Sequence, residues 1–390
     1  MKIPRVAGRS IIGADGEPAL WRGIGLGCWL LPEGYMFRFS GGASSPRQIE
    51  DMFRELLGED GALRFWQEYR EQFITRADIA LIKRLGFDHI RIPFSTRLLS
   101  PDELPRRLAG PGWDLIDRCI GWCREAGLGV VLDMHGAPGG QTGDNIDDSP
   151  GYPFLYEDEA SQDLACAVWA EFARKYRDEP TVWAYELLNE PIAHHPETWS
   201  PELAARLEPT YRRMTAAIRA HDQDRIVIVG GSRWNTDFSV FSTPFDPQLV
   251  YAFHRYFMPL VPGLMNDYVE FSQKHHVPVW LGETGENTME WITGIREQSE
   301  AAGIGWNFWT YKRISADGRC IVSIREPEGW DKIVDYAKAP RSTFDAIRKH
   351  RPPFAVAKAA LRGYLDAIRV ANCQVNDPYM KALGLPPAKP

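Results

Sequence analysis

Eight short apolar runs, most of them separated by stretches of helical periodicity, constrain this chain more than any other feature. The runs fall at about 20–26, 87–93, 128–135, 182–189, 225–230, 249–254, 277–283 and 305–310. Helical stretches at about 78–86, 113–127, 161–176, 203–220, 267–275 and 289–302 lie between them. Continuous apolar runs of this length are what strands covered on both faces of a parallel sheet look like. Eight β-then-α units match a closed barrel better than an open doubly wound sheet. The expected fold class is therefore α/β, a single (β/α)8 TIM barrel over about 20–340 within one domain of 390 residues. A hairpin over 1–19, turning at Asp15-Gly16, is expected to precede it, and a helical extension over about 341–390 to follow.

The reactive side chains sit consistently at the carboxyl ends of these runs: Arg91, His135, Asn189-Glu190, His254, Glu283 and Trp309. In an α/β barrel the strand tips converge there, so that end is the catalytic face. Long connections at 32–75, 136–159 and 312–330 are expected to wall it. The tail, with Pro352-Pro353 and an Ala-rich helix over about 355–371, should dock on the barrel exterior.

Composition narrows the function classes. A net charge of −7 without a basic run argues against nucleic acid as a partner. The six cysteines form no CxxC pair, so free thiols are expected. No apolar stretch follows Met1-Lys-Ile-Pro-Arg in the manner of a signal peptide, and none is long enough for a membrane span; a cytoplasmic location is the expectation. Fourteen tryptophans exceed ordinary core needs, and some of them, Trp29 and Trp234 on βα loops among them, suit platforms for a sugar.

Two phrases carry chemistry. Trp183-Ala-Tyr-Glu-Leu-Leu-Asn-Glu190-Pro191 and Val277-Pro-Val-Trp-Leu-Gly-Glu283-Thr-Gly each bring an apolar strand to a glutamate and then a breaker. Two carboxyls on separate strand tips of one sheet fit hydrolysis of a glycosidic bond, which needs an acid for the leaving oxygen and a carboxylate for the anomeric carbon. Glu190 is the expected acid/base, its pKa raised by partial desolvation, and Glu283 the expected nucleophile, kept ionised by Arg91. His135 and His254 with Asp133 read alternatively as metal ligands, but no His-x-His pair accompanies them, so no metal and no cofactor is expected.

Further motifs are Ile90-Arg91-Ile-Pro, Asp133-Met-His135-Gly, His254-Arg-Tyr256 and Trp309. With them, from about Trp21 to Lys312, the chain resembles the retaining (β/α)8 glycoside hydrolases of family 5. Gly25-Leu-Gly-Cys-Trp29-Leu-Leu, the stretch from Trp66 to Thr75, and His135-Gly-Ala-Pro-Gly-Gly-Gln141 look most like its exo-β-glucosidase and exo-1,3-glucanase branch. The resemblance implies that Asn189 binds the sugar 2-hydroxyl and that Arg91 and Tyr256 position Glu283. It further implies that His135 and His254 line the cleavage subsite, that Trp309 floors the sugar, and that Glu33 takes its terminal hydroxyls. Asp144-Asn145 or Asp147-Asp148 would supply a further sugar-binding pair. The function implied is a retaining exo-acting β-glucosidase with a carbohydrate substrate as its partner. β-Mannosidase and glycosylceramidase-type activities are the alternatives within the family, and a catalytically inactive carbohydrate-binding barrel is the alternative outside it.

Overall fold

The computed structural model describes residues 3–195 and 199–386. Eight strands close into a parallel barrel: β1 Arg22–Gly25, β2 His89–Ser95, β3 Gly129–Gly136, β4 Val182–Glu186, β5 Ile226–Gly230, β6 Leu249–Arg255, β7 Val279–Gly285 and β8 Trp306–Trp309. β8 pairs with both β7 and β1, which completes the ring.

Two apolar layers hold the barrel. Outward-facing strand residues pack against the helices, among them Glu159–Tyr176 and Leu207–Arg219. Inside the barrel a smaller cluster comprises Val131, Ala184, Ile226, Ile228, Val250, Ala252 and Trp280, with Ile11 and Trp21 joining it from the N-terminal segment. Because alternate strand residues share a face, stepping two positions along a strand climbs the barrel interior. On β3 this leads from Val131 to Asp133 and His135, on β4 from Ala184 to Glu186, and on β6 from Ala252 to His254. The interior therefore changes from apolar at its amino end to charged at its carboxyl end.

Glu283 does not follow that parity unaided. Phe253 pairs with Leu281 but His254 pairs with Glu283, so β7 holds one extra residue, Gly282. This bulge turns Glu283 inward beside His254. Gly282 also lets the histidine pass closely: a Cβ there would stand 3.2 Å from His254 Nε2.

Several local expectations differ. The paired N-terminal strands are Arg5–Ala7 and Ser10–Ile12, turning at Gly8-Arg9, whereas the reversal at Asp15-Gly16 closes only an isolated Ile12–Pro18 bridge. The first two residues of the expected hairpin and the last four of the expected tail lie outside the described residues. Of residues 32–75, Glu33 and Tyr35 reach the carboxyl end of the barrel, whereas 46–73 form the helices Pro46–Leu57 and Glu59–Phe73, whose apolar faces bury themselves under the tail helix Phe354–Ala367. Trp29 belongs to that packing and is no sugar platform; it is 1% exposed and its Nε1 donates to Arg70 O at 2.7 Å. Between β5 and β6 the expected pattern gives no full helix, only the short turn Ser232–Asn235 and a 3-10 segment, Phe238–Val240.

Candidate active site

Arg91 is fully buried, and its guanidinium is the hub of the carboxyl end of the barrel. Nε donates to Glu186 Oε2 at 2.6 Å, Nη1 to Glu283 Oε2 at 2.6 Å and Nη2 to Asn189 Oδ1 at 2.7 Å. Nη2 also lies 3.1 Å from Asp133 Oδ2. One guanidinium thus serves three carboxyl groups. Burial opposes ionisation of all three, and the Asp133 carboxyl is pushed up to about 7.

Asn189 is oriented by this hub. With its Oδ1 on Arg91, its Nδ2 faces His135 Nε2 at 3.2 Å, and His135 Nδ1 donates to Asp133 Oδ2 at 2.8 Å. Burial lowers the His135 pKa to about 3, so the ring is neutral and its single N–H belongs to Nδ1. The ring lies parallel to Trp309, 5.4 Å away with planes 3° apart. Trp309 Nε1 donates to the Tyr35 hydroxyl at 2.7 Å.

The two glutamates have different surroundings. Glu283 accepts from Arg91 and from Tyr256, whose hydroxyl lies 2.9 Å from Oε1. Burial raises its pKa, while the Arg91 guanidinium pulls it down. Glu190 contacts no cation directly, and His254 Nδ1 lies 2.8 Å from its Oε1. Burial pushes the Glu190 pKa up to about 8, with the negative charges of Asp133, Glu186 and Asp144 adding to the effect against the pull of Arg91. Of the two, Glu190, raised to about 8 and without a cation of its own, is suited to hold the proton, while Glu283, held by Arg91 and Tyr256, is suited to carry the charge. Glu190 also has a φ of 43°, a left-handed conformation uncommon for a side-chain-bearing residue. The chain beyond β4 is nonetheless anchored, since Asn189 N donates to Met134 O at 3.1 Å.

Donor atoms of Glu190, His254 and Glu283 lie within 4.8 Å of one another. A cation there would compete for atoms already engaged: His254 Nε2 faces Asn235 Nδ2 at 3.1 Å, and Glu283 is held by Arg91 and Tyr256. A carboxyl oxygen of Glu190 and one of Glu283 lie within 4.8 Å of each other, a close approach of the kind double displacement uses, where the two carboxyl groups stand about 5 Å apart.

They open into a cavity of about 680 Å³, inside the usual range for small-molecule sites. His135, His254, Tyr256, Trp309, Glu33 and Trp234 line it, while Arg91 and Asn189 lie behind its wall. Glu33 is 5% exposed and its Oε1 has no partner. Burial, with Glu283, Glu286 and Glu190 nearby, holds the Glu33 carboxyl well above its usual range. Among the described residues only Trp234 and Trp309 of the tryptophans line the cavity.

The expected Asp-Asn and Asp-Asp pairs do not line it; Ile146 between them does. Asp144 accepts from Asn145 N at 2.5 Å and meets His195 Nε2 at 3.0 Å. Asp147 takes the backbone N–H groups of Gln141, Thr142 and Ser149, and Asp148 accepts from Arg97 Nε at 3.0 Å. Both pairs shape the loop, because backbone donors and arginines reach their carboxylates first.

Sequence reasoning missed Tyr35, Phe257 and Met258 on the wall, gave Glu286 no role, and missed Glu186 and Asn235 beneath it. A signal existed for Glu186: a lone acid in the apolar strand Val182–Glu186 needs a buried cation.

Residues 55–315 match the profile of the cellulase family, glycosyl hydrolase family 5. A beta-xylosidase of Phanerodontia chrysosporium is 30% identical over 364 residues, which is 84% of this chain and 74% of that protein. Endoglucanase C of Acetivibrio thermocellus is 32% identical over 194 residues, covering 49% of this chain and about half (53%) of its own length. The rutinosidase from Aspergillus niger shares the fold, with a TM-score of 0.61 at 19% identity over 77% of this chain and 92% of that one.

Proposed function

The chain belongs to glycosyl hydrolase family 5, and from that premise we propose that it is a retaining, exo-acting β-glycosidase that removes a terminal sugar from β-glucosides or short β-linked oligosaccharides. The observation that carries the reading is one cavity in which Glu190, free of any direct cation, and Glu283, bound by Arg91 and Tyr256, bring carboxyl oxygens within 4.8 Å of each other.

In the first step Glu283 attacks the anomeric carbon from below while Glu190 gives its proton to the departing oxygen, so a glycosidic C–O bond breaks as an ester C–O bond forms. Arg91 and Tyr256 hold Glu283 on line and release charge density as the ester forms. In the second step the Glu190 carboxylate takes a proton from water, whose oxygen displaces Glu283 from the opposite face. Two inversions give net retention. The Trp309 ring, buttressed by Tyr35 and parallel to His135, offers a flat floor to the sugar.

Exo action is supported by the pocket wall. Glu33, Tyr35 and Glu286 line the cavity from the connections after β1 and β7, and the unpartnered Glu33 Oε1 is free to accept from a sugar hydroxyl. A screen of 4-nitrophenyl β-glucoside, β-xyloside, β-mannoside and β-galactoside, with Glu283→Ala as blank, tests the glycone. β-Glucoside turnover is the expected leading activity. On cello- and laminari-oligosaccharides, monosaccharide should be the sole early product. A ladder of shorter oligomers from the first minutes would overturn exo action.

The pH profile follows from the two carboxyls. For a 4-nitrophenyl substrate, kcat/KM should be bell-shaped. Its basic limb should lie near 8, because Glu190 stops being an acid as pH rises through its pKa. Its acidic limb appears as Glu283 takes up a proton. Above the basic limb the loss should approach about tenfold per pH unit. With a 2,4-dinitrophenyl substrate, which departs without an acid, the basic limb should vanish; its persistence would assign that limb to another group.

A further inference from the structure

The connection after β5 places Arg233, Trp234 and Asn235 at φ values of 54°, 59° and 58°, three successive left-handed residues. L side chains disfavour this conformation, and it persists only where surrounding structure holds it. The turn divides its side chains. Trp234 lines the cavity, whereas Asn235 is fully buried and directs Nδ2 at His254 Nε2, 3.1 Å away. Gly230 makes the space for this: a Cβ there would stand 2.0 Å from Asn235 Oδ1.

His254 bridges Asn235 to Glu190. Burial keeps the imidazole neutral at pH 7, its pKa lowered to about 4. A neutral imidazole has one N–H and one lone pair. Because Nε2 accepts from Asn235, the N–H lies on Nδ1 and donates to Glu190 Oε1 at 2.8 Å. A carboxyl oxygen that accepts such a bond leaves the acidic proton to its twin, Oε2.

We propose that Asn235 is a positioning residue that, through the tautomer of His254, keeps the transferable proton of Glu190 on Oε2, the oxygen left free for the leaving group. This rests on Glu190 acting as the acid/base. In glycosylation the Oε2–H bond breaks and its proton goes to the departing oxygen. In deglycosylation the proton of water returns to Oε2. His254 keeps its own proton throughout and serves as a fixed donor to Oε1.

Asn235→Asp tests the assignment, because aspartate keeps the size and tolerates the left-handed backbone but can only accept hydrogen bonds. His254 must then carry its proton on Nε2, and the Nδ1 lone pair draws the Glu190 proton to Oε1. The substrates are the 4-methoxyphenyl and 2,4-dinitrophenyl glycosides of the sugar chosen by the screen above. The variant should lose about 10²-fold in kcat/KM on the first, the contribution of a general acid, and under about threefold on the second, which needs none. Equal losses on both substrates would mean a merely structural role and overturn the proposal. Long-range ¹H–¹⁵N spectra of the wild type, with His254 assigned through His254→Gln, read the tautomer directly and do not depend on the variant folding. Protonation at Nδ1 is expected; protonation at Nε2 would overturn the assignment even in a fully active enzyme. A wild type inert on both glycosides would sink the acid/base role of Glu190, and this assignment with it.

Discussion

Replacing Glu283 by alanine should lower kcat/KM for aryl glycosides by at least about 10⁴-fold, the scale of losing a covalent nucleophile. Folding should survive, since the truncation removes a buried charge together with its cost of desolvation. The stereochemistry of rescue makes the test specific. Azide entering the space of the missing carboxylate attacks the sugar from the same side, so a β-glycoside should give the α-glycosyl azide. In Glu190→Ala the ester still forms, and azide arriving on the opposite face should give the β-azide. If the two variants yielded the products in the reverse order, the roles of Glu190 and Glu283 would have to be exchanged.

Substitution of Arg91 should damage both stability and activity. Arg91→Met leaves Asp133, Glu186 and Glu283 buried without their shared cation, and breaking buried pairs one-sidedly costs about 3–5 kcal/mol. Urea unfolding should show the loss. It should narrow as pH falls, because the orphaned carboxyls take up protons and no longer need a counter-charge. Arg91→Lys should preserve more of the fold yet still lose on the order of 10²-fold in kcat/KM, since one ammonium cannot span Glu186, Asn189 and Glu283 as the planar fork does. A lysine variant with wild-type kinetics would show that charge alone suffices there.

The barrel was legible because apolar runs recur with helical spacers, and that recurrence depends only on which faces are buried. The reactive residues were legible for a related reason: strand tips are where an apolar run meets a polar side chain. The loops were not. Asp144, Asn145, Asp147 and Asp148 look alike as letters, and their fates turn on which backbone N–H groups and which arginines lie nearest in space. Trp29 misleads similarly, because a tryptophan after a strand can face either the cavity or the helices, and the partner that decides, Arg70 O, is 41 residues away. The inward turn of Glu283 depends on a bulge at Gly282, which period-two reasoning does not anticipate. Asn235 escaped notice because its role passes through His254, and only the fold brings the two together.

The tail helix and the segment after it reach the rear of the cleft. Lys312 Nζ joins Asp78 Oδ1 and Ile368 O, each at 2.8 Å, entirely out of water. Gln374–Val375 adds a strand to Val322–Ile324, and the Tyr379 hydroxyl donates to Trp309 O at 3.4 Å. The segment from Phe354 to Tyr379 therefore acts as a keystone behind the aromatic platform. An engineer trimming the gene near codon 340 would loosen the sugar's resting place from the back, while every group that does chemistry stayed in the sequence.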